Sequence, residues 1–142
     1  MSLHDSQIDR FTKAADQLEI VELLSGYCHA IDAGKWDSLD GIFTEDAEFI
    51  YVRVVSDERE VASQRQGIGP IKLWLEETLR SVTTMHYMTN HMFTSIDLAR
   101  ATTRSYLLVM KLALDGIYEC EHVRTEHGWR IHRLTLEQHV DG

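Results

Sequence analysis

Asp32 and His86 are the residues whose types and settings could do chemistry. Asp32 ends the run Ile20-Val21-Glu22-Leu23-Leu24-Ser25-Gly26-Tyr27-Cys28-His29-Ala30-Ile31-Asp32. At about 100° per residue it projects beside Val21, Cys28 and Leu18, toward the expected core. A carboxylate aimed at apolar surroundings is costly unless something pairs with it. A partner stands in Thr84-Met85-His86-Tyr87-Met88-Thr89-Asn90. Paired with an imidazole, a carboxylate holds the ring in one tautomer and stabilises its protonated form, which is the minimal equipment of a general base. Strand alternation places Met88 and Asn90 on the face that carries His86.

The elements that must position these residues follow from periodicity. A helical pattern runs from about Asp5 to Ala33. It is expected to break near Ala15-Asp16, where Asp16 would cap a second helix with Glu19 as its capping-box partner. Gly34 reads as the helix stop, and a short helix is expected over Trp36 to Phe43. Glu48 to Val52 switches to strand character. A turn at Ser56-Asp57 and a weak strand lead to Gly67, and Gly69-Pro70 opens a helix with the stripe Ile71, Trp74, Leu75 and Leu79. Four strands follow, about Thr84–Asp97, Ala101–Leu114, Ile117–Thr125 and Trp129–His139. Asp115-Gly116 and His127-Gly128 read as hairpin turns.

Helices followed by long antiparallel strands define an α+β domain over residues 1–142. The expected architecture is a curved mixed or antiparallel sheet forming a half-open cone, with three to four N-terminal helices on its concave face. A pocket would lie between sheet and helices.

Composition narrows the partners. The 142 residues carry a formal net charge of −9, which opposes binding to nucleic acid or an anionic membrane. No apolar run could span a bilayer and no signal segment is visible, so a cytoplasmic protein is expected. Cys28 and Cys120 lie far apart and read as small buried hydrophobes. The eight histidines show no metal-ligand spacing: His86 and His91 differ in strand parity, while His122, His127 and His132 straddle a turn and read as solvent-facing. No phosphate loop, dinucleotide fingerprint or nucleophile elbow occurs. Chemistry without cofactor or metal is expected. Met85, Met88, Met92 and Met110, with Phe93, are candidates for a pliable apolar wall, though parity forbids all of them one cavity. Trp36, Trp74 and Trp129 read as packing residues. Leu107, Val109 and Leu112 suit an exposed sheet face that assembles a homo-oligomer, a trimer or a dimer.

Several segments in order resemble the SnoaL-like branch of the superfamily that includes nuclear transport factor two, ketosteroid isomerase and scytalone dehydratase. They are Tyr27-x4-Asp32-x-Gly34-x-Trp36-Asp37, Phe43-Thr44-Glu45-Asp46-Ala47, Gly69-Pro70-Ile71, the Thr84–Asn90 segment, Gly116-Ile117-Tyr118, and Arg124 with Gly128-Trp129-Arg130-Ile131. The resemblance implies a lyase in which Asp32 and His86 are catalytic and Tyr27 donates from its hydroxyl. It also places Tyr51 and Arg124 near the pocket, and Asn90 and Met88 are further candidates for binding substrate. Where many members carry an acidic residue, two positions after Tyr118, this chain has Cys120.

Three functions are therefore carried forward: a dehydratase-type lyase acting on a small hydrophobic cyclic, polyketide-like or steroid-like substrate; a polyketide or terpenoid cyclase or isomerase using the same pair; and a ligand-binding or oligomerisation module without chemistry.

Overall fold

The computed structural model describes residues 2–110, 112 and 114–140. Helix α1 covers Leu3–Asp32, and a 3-10 helix covers Trp36–Gly41. Strands β1 (Phe43–Val55) and β2 (Glu58–Gln66) follow, then helix α2 (Ile68–Leu79). Strands β3 (Met85–Ile96), β4 (Arg100–Met110), β5 (Leu114–Thr125) and β6 (Gly128–Val140) complete the chain.

The six strands form one sheet in the order β2-β1-β6-β5-β4-β3. Only β1 and β6 run parallel; the other neighbours are antiparallel. The sheet does not close, so β2 and β3 are its edges. Helix α1 packs across β3 and β6, α2 packs against β1 and β2, and the 3-10 helix bridges α1, α2 and β1. This is the α+β cone expected from the sequence. Its core lies between α1 and the inward residues of β4, β5 and β6, among them Leu107, Val109, Tyr118, Trp129, Ile131 and Leu134.

Helix α1 is unbroken, contrary to the expected interruption near Ala15-Asp16. Ser2 caps it, with Asp5 completing a capping box, and the carboxylates read as caps are spent elsewhere. Asp16 accepts the Trp129 indole N–H at 3.2 Å and Arg124 Nη2 at 2.5 Å, and Glu19 accepts the Trp129 backbone N–H at 3.0 Å. These bonds tie the middle of α1 to the start of β6. Gly34 (φ 66°) ends the helix region, its N–H bonded to Ile31 O.

Two local readings change. Asp115 and Gly116 are not a turn: they sit in β5 opposite Leu108 and Leu107. The link between β4 and β5 falls around Leu112, partly outside the described residues. Gly116 serves close approach, since a Cβ there would stand 2.7 Å from Glu137 O on β6. The second change is parity on β4, where Leu107 and Val109 are buried and Tyr106, Leu108 and Met110 face outward. The β1–β2 turn is at Ser56 and Asp57, both with positive φ, as a tight hairpin requires.

Candidate active site

The last residue of α1 meets the second residue of β3. Asp32 Oδ1 lies 2.6 Å from His86 Nδ1. The carboxylate is fixed by two further donors: Thr84 Oγ1 to Oδ1 at 2.9 Å, and the His86 backbone N–H to Oδ2 at 2.9 Å. An ionised carboxylate only accepts, so the proton between the two residues belongs to His86 Nδ1. Nε2 is then the free base of the ring. The His86 side chain is nearly buried, whereas Asp32 remains partly exposed along a groove bordered by Glu76, Arg80 and Thr83.

His86 lines a cavity of about 220 Å³ between α1, α2 and the sheet. Its walls are mostly apolar, including Ile31, Phe49, Trp74, Leu107, Val109 and Leu136. The polar groups among its walls are His86, Thr78 and three tyrosines, Tyr27, Tyr51 and Tyr118. Tyr27 and Tyr118 stand edge to face, their hydroxyl oxygens 3.3 Å apart. Burial raises the pKa of both phenols well above the ordinary tyrosine value. Both therefore stay protonated: one hydroxyl proton closes the pair, and the other can reach a ligand oxygen. The Tyr51 hydroxyl donates to Gln138 Oε1, and burial raises its pKa as well.

The cavity thus gathers His86, Tyr27 and Tyr51, with Asp32 behind the imidazole. It does not gather Asn90, Met88 or Arg124. Asn90 has φ 56° and interrupts the register of β3 against β4 between Thr89 and Met92. Beyond this bulge the inward positions change parity, so Asn90 points to solvent and His91 turns inward. His91, expected on the opposite face from His86, shares its face, and its Nδ1 lies 2.7 Å from Ser105 Oγ. Met88 packs against the core beside Leu107 without lining the cavity. Met85, Met92 and Met110 are exposed. Arg124 belongs to the middle of α1, away from Asp32, where its guanidinium pairs with Asp16 and covers the Trp129 ring 4.8 Å from the centroid.

Tyr118, Trp74 and Thr78 are among the cavity residues that the sequence does not single out as site candidates. Tyr118 shares an inward parity with Cys120 and His122 on β5, a signal visible in the alternation. Burial holds the Cys120 thiol protonated. Cys28, behind Tyr27, is likewise pushed up to about 12 by burial, with the Asp32 charge adding to the effect. His122, read as solvent-facing, is buried. Among the described residues no group of three His, Cys, Asp or Glu side chains is placed to hold a metal ion. No helix among them is long and apolar enough to cross a membrane.

An open mixed sheet wrapped around helices, with its cavity at their junction, defines the cone-shaped class that includes nuclear transport factor two. Residues 12–135 match the SnoaL-like domain, and the chain belongs to that family. It is 33% identical over 128 residues to the uncharacterized protein Rv2910c of Mycobacterium tuberculosis, covering 84% of this chain and 82% of that protein. Among solved structures, a protein of Novosphingobium aromaticivorans provisionally assigned as an aromatic ring hydroxylase is 28% identical, with TM-score 0.72 over 88% of this chain and 90% of its own. A provisionally assigned scytalone dehydratase of the same organism shares the fold at 22% identity, with TM-score 0.73 over 91% and 87% of the two chains. The superfamily includes dehydratases and isomerases.

Proposed function

We propose that this chain is a cofactor-independent lyase that eliminates water from a small hydrophobic cyclic substrate. The observation that carries the reading is the 2.6 Å contact between Asp32 and His86 Nδ1 at the wall of an apolar cavity.

The chemistry follows from the proton positions. With Nδ1–H held by Asp32, His86 Nε2 takes a proton from a carbon next to a carbonyl, and Asp32 stabilises the imidazolium formed. The electron pair left on that carbon becomes an enolate, whose oxygen accepts the free proton of the Tyr27–Tyr118 pair as a hydrogen bond. The enolate then reforms the carbonyl and expels the β-hydroxyl, which departs as water with the proton returned from His86 Nε2–H. One C–H and one C–O bond break, one C=C bond forms, and the imidazole ends neutral.

Cavity size narrows the substrate. An apolar cavity of about 150 Å³ accommodates benzene, so about 220 Å³ suits one ring with short substituents better than a fused four-ring skeleton. The test is incubation with a panel of monocyclic β-hydroxy ketones, with product masses read by mass spectrometry. Wild type yields a product lighter by one water, and His86→Gln slows this by about a hundredfold or more while keeping its circular dichroism spectrum. A product of unchanged mass would assign the pair to isomerisation or cyclisation instead. Near-normal elimination by His86→Gln would remove His86 as the base.

A further inference from the structure

Helix α1 is apolar on two opposite faces. Its buried face carries Ile20, Leu24, Tyr27 and Ile31. At about 100° per residue, His4, Ile8, Phe11, Ala15, Leu18 and Glu22 fall within an arc of about 80° on the other side. All six are exposed; Phe11 is 73%, Leu18 62% and Ile8 48% accessible. From Leu3 to Ala15 no residue of α1 is buried, and this part of the helix touches the rest of the fold only along the side that carries Asp9, Thr12 and Lys13, beside Ile96 and Leu98. An isolated helix of that length is marginal in water, and an apolar stripe along it is a surface that needs covering.

The order of residues along the stripe says what covers it. The spacing from Ile8 through Phe11 and Ala15 to Leu18 is that of a helix–helix seam. Laid antiparallel on itself about a twofold axis level with Lys13, the stripe is self-complementary. Ile8 faces Leu18 of the second copy, Phe11 faces Ala15, and His4 faces Glu22. A large ring thus meets a small side chain at the centre, apolar branched chains meet on either side, and at both ends an imidazole N–H meets a carboxylate. Such reciprocal contacts, i to j and j to i, are the mark of an isologous interface.

We infer that a second copy of this chain docks antiparallel on the outer face of α1, through Ile8, Phe11, Ala15 and Leu18. The inference is independent of the proposed chemistry. The buried face of α1 points the opposite way, so each copy's sheet lies outside the helix pair and both cavities stay open.

Light scattering on the intact protein, with engineered cysteines as register markers, tests this. Wild type is expected to be dimeric, and Phe11→Glu to raise the dimer dissociation constant on the order of a hundredfold. Circular dichroism should stay unchanged, because Phe11 is exposed. Tyr106→Lys, on the outer face of the sheet, should leave the dimer intact. Ile8→Cys protein mixed with Leu18→Cys protein should form a disulfide-linked heterodimer, whereas Leu18→Cys alone should not. The native Cys28 and Cys120 are buried and do not compete. A monomeric wild type overturns the inference, as does an oligomer unaffected by Phe11→Glu or dissociated by Tyr106→Lys, which would assign the contact to the sheet. Failure of the Ile8–Leu18 cross-link in a dimer that Phe11→Glu does disrupt overturns the antiparallel register.

Discussion

His122 is a base held in the core with half its hydrogen-bonding capacity unused. Its Nε2 lies 2.8 Å from Thr103 Oγ1, while Nδ1 has no partner among the described residues. Burial lowers its pKa from the ordinary histidine value to about 4. Above pH 6.5 or so the ring is neutral in both the folded and unfolded chain, and pH has no leverage through it. As pH falls from there toward about 4, the unfolded chain takes up a proton that the folded protein refuses, so stability drops, by about 3 kcal/mol in all, and levels off below. Urea unfolding across this window should show that slope, and His122→Gln should flatten it. An unchanged slope in the variant would place the acid sensitivity elsewhere. Site residues were legible to different degrees for local reasons. Asp32 and His86 could be paired because helix period and strand parity both operate undisturbed at these positions. Strict alternation misplaces Asn90 on the His86 face, because its own left-handed backbone resets the parity of β3. Arg124 was compatible with the pocket in sequence, but its position at the far end of β5 gives it to Asp16. The inward parity of Tyr118 is legible in β5, but its pairing with Tyr27, on a distant element, is not.

At the level of elements, the bond between α1 and β6 sets where the helix lies on the sheet. Asp16 joins Trp129, which is 1% exposed, and Arg124. Asp16→Ala leaves a buried indole N–H unpaired and frees the guanidinium above it. The expected loss is about 2–3 kcal/mol in urea unfolding, and because Asp32 rides on the same helix, cavity geometry should loosen with it. A loss below about half a kcal/mol would mean that water or another side chain takes the place of the carboxylate. Asp16 also shows why sequence suggests a helix boundary that is absent: Asp followed by Glu three positions later is the pattern of a cap, yet the same two carboxylates serve as tertiary acceptors. Element types were otherwise legible, since the α1 stripe, the Pro70 helix start and the strand alternation each carry their own period. The turn between β4 and β5 was not. A glycine selected for strand packing, Gly116, has the same composition signal as a glycine selected for a turn.

In the molecule as a whole, the half-open cone provides an apolar chamber, β3 delivers the imidazole to its wall, and α1 delivers the carboxylate behind that imidazole. In the proposed reaction, His86 moves a carbon-bound proton inside this chamber. The most direct measurement is proton NMR of a monocyclic ketone in deuterated water, following exchange at the carbon beside the carbonyl. Wild type should wash deuterium into that position faster than solvent does, and His86→Gln should lower the rate to near the solvent background. Equal exchange by wild type and His86→Gln, or none by wild type on ketones shown to occupy the cavity, would contradict the claim.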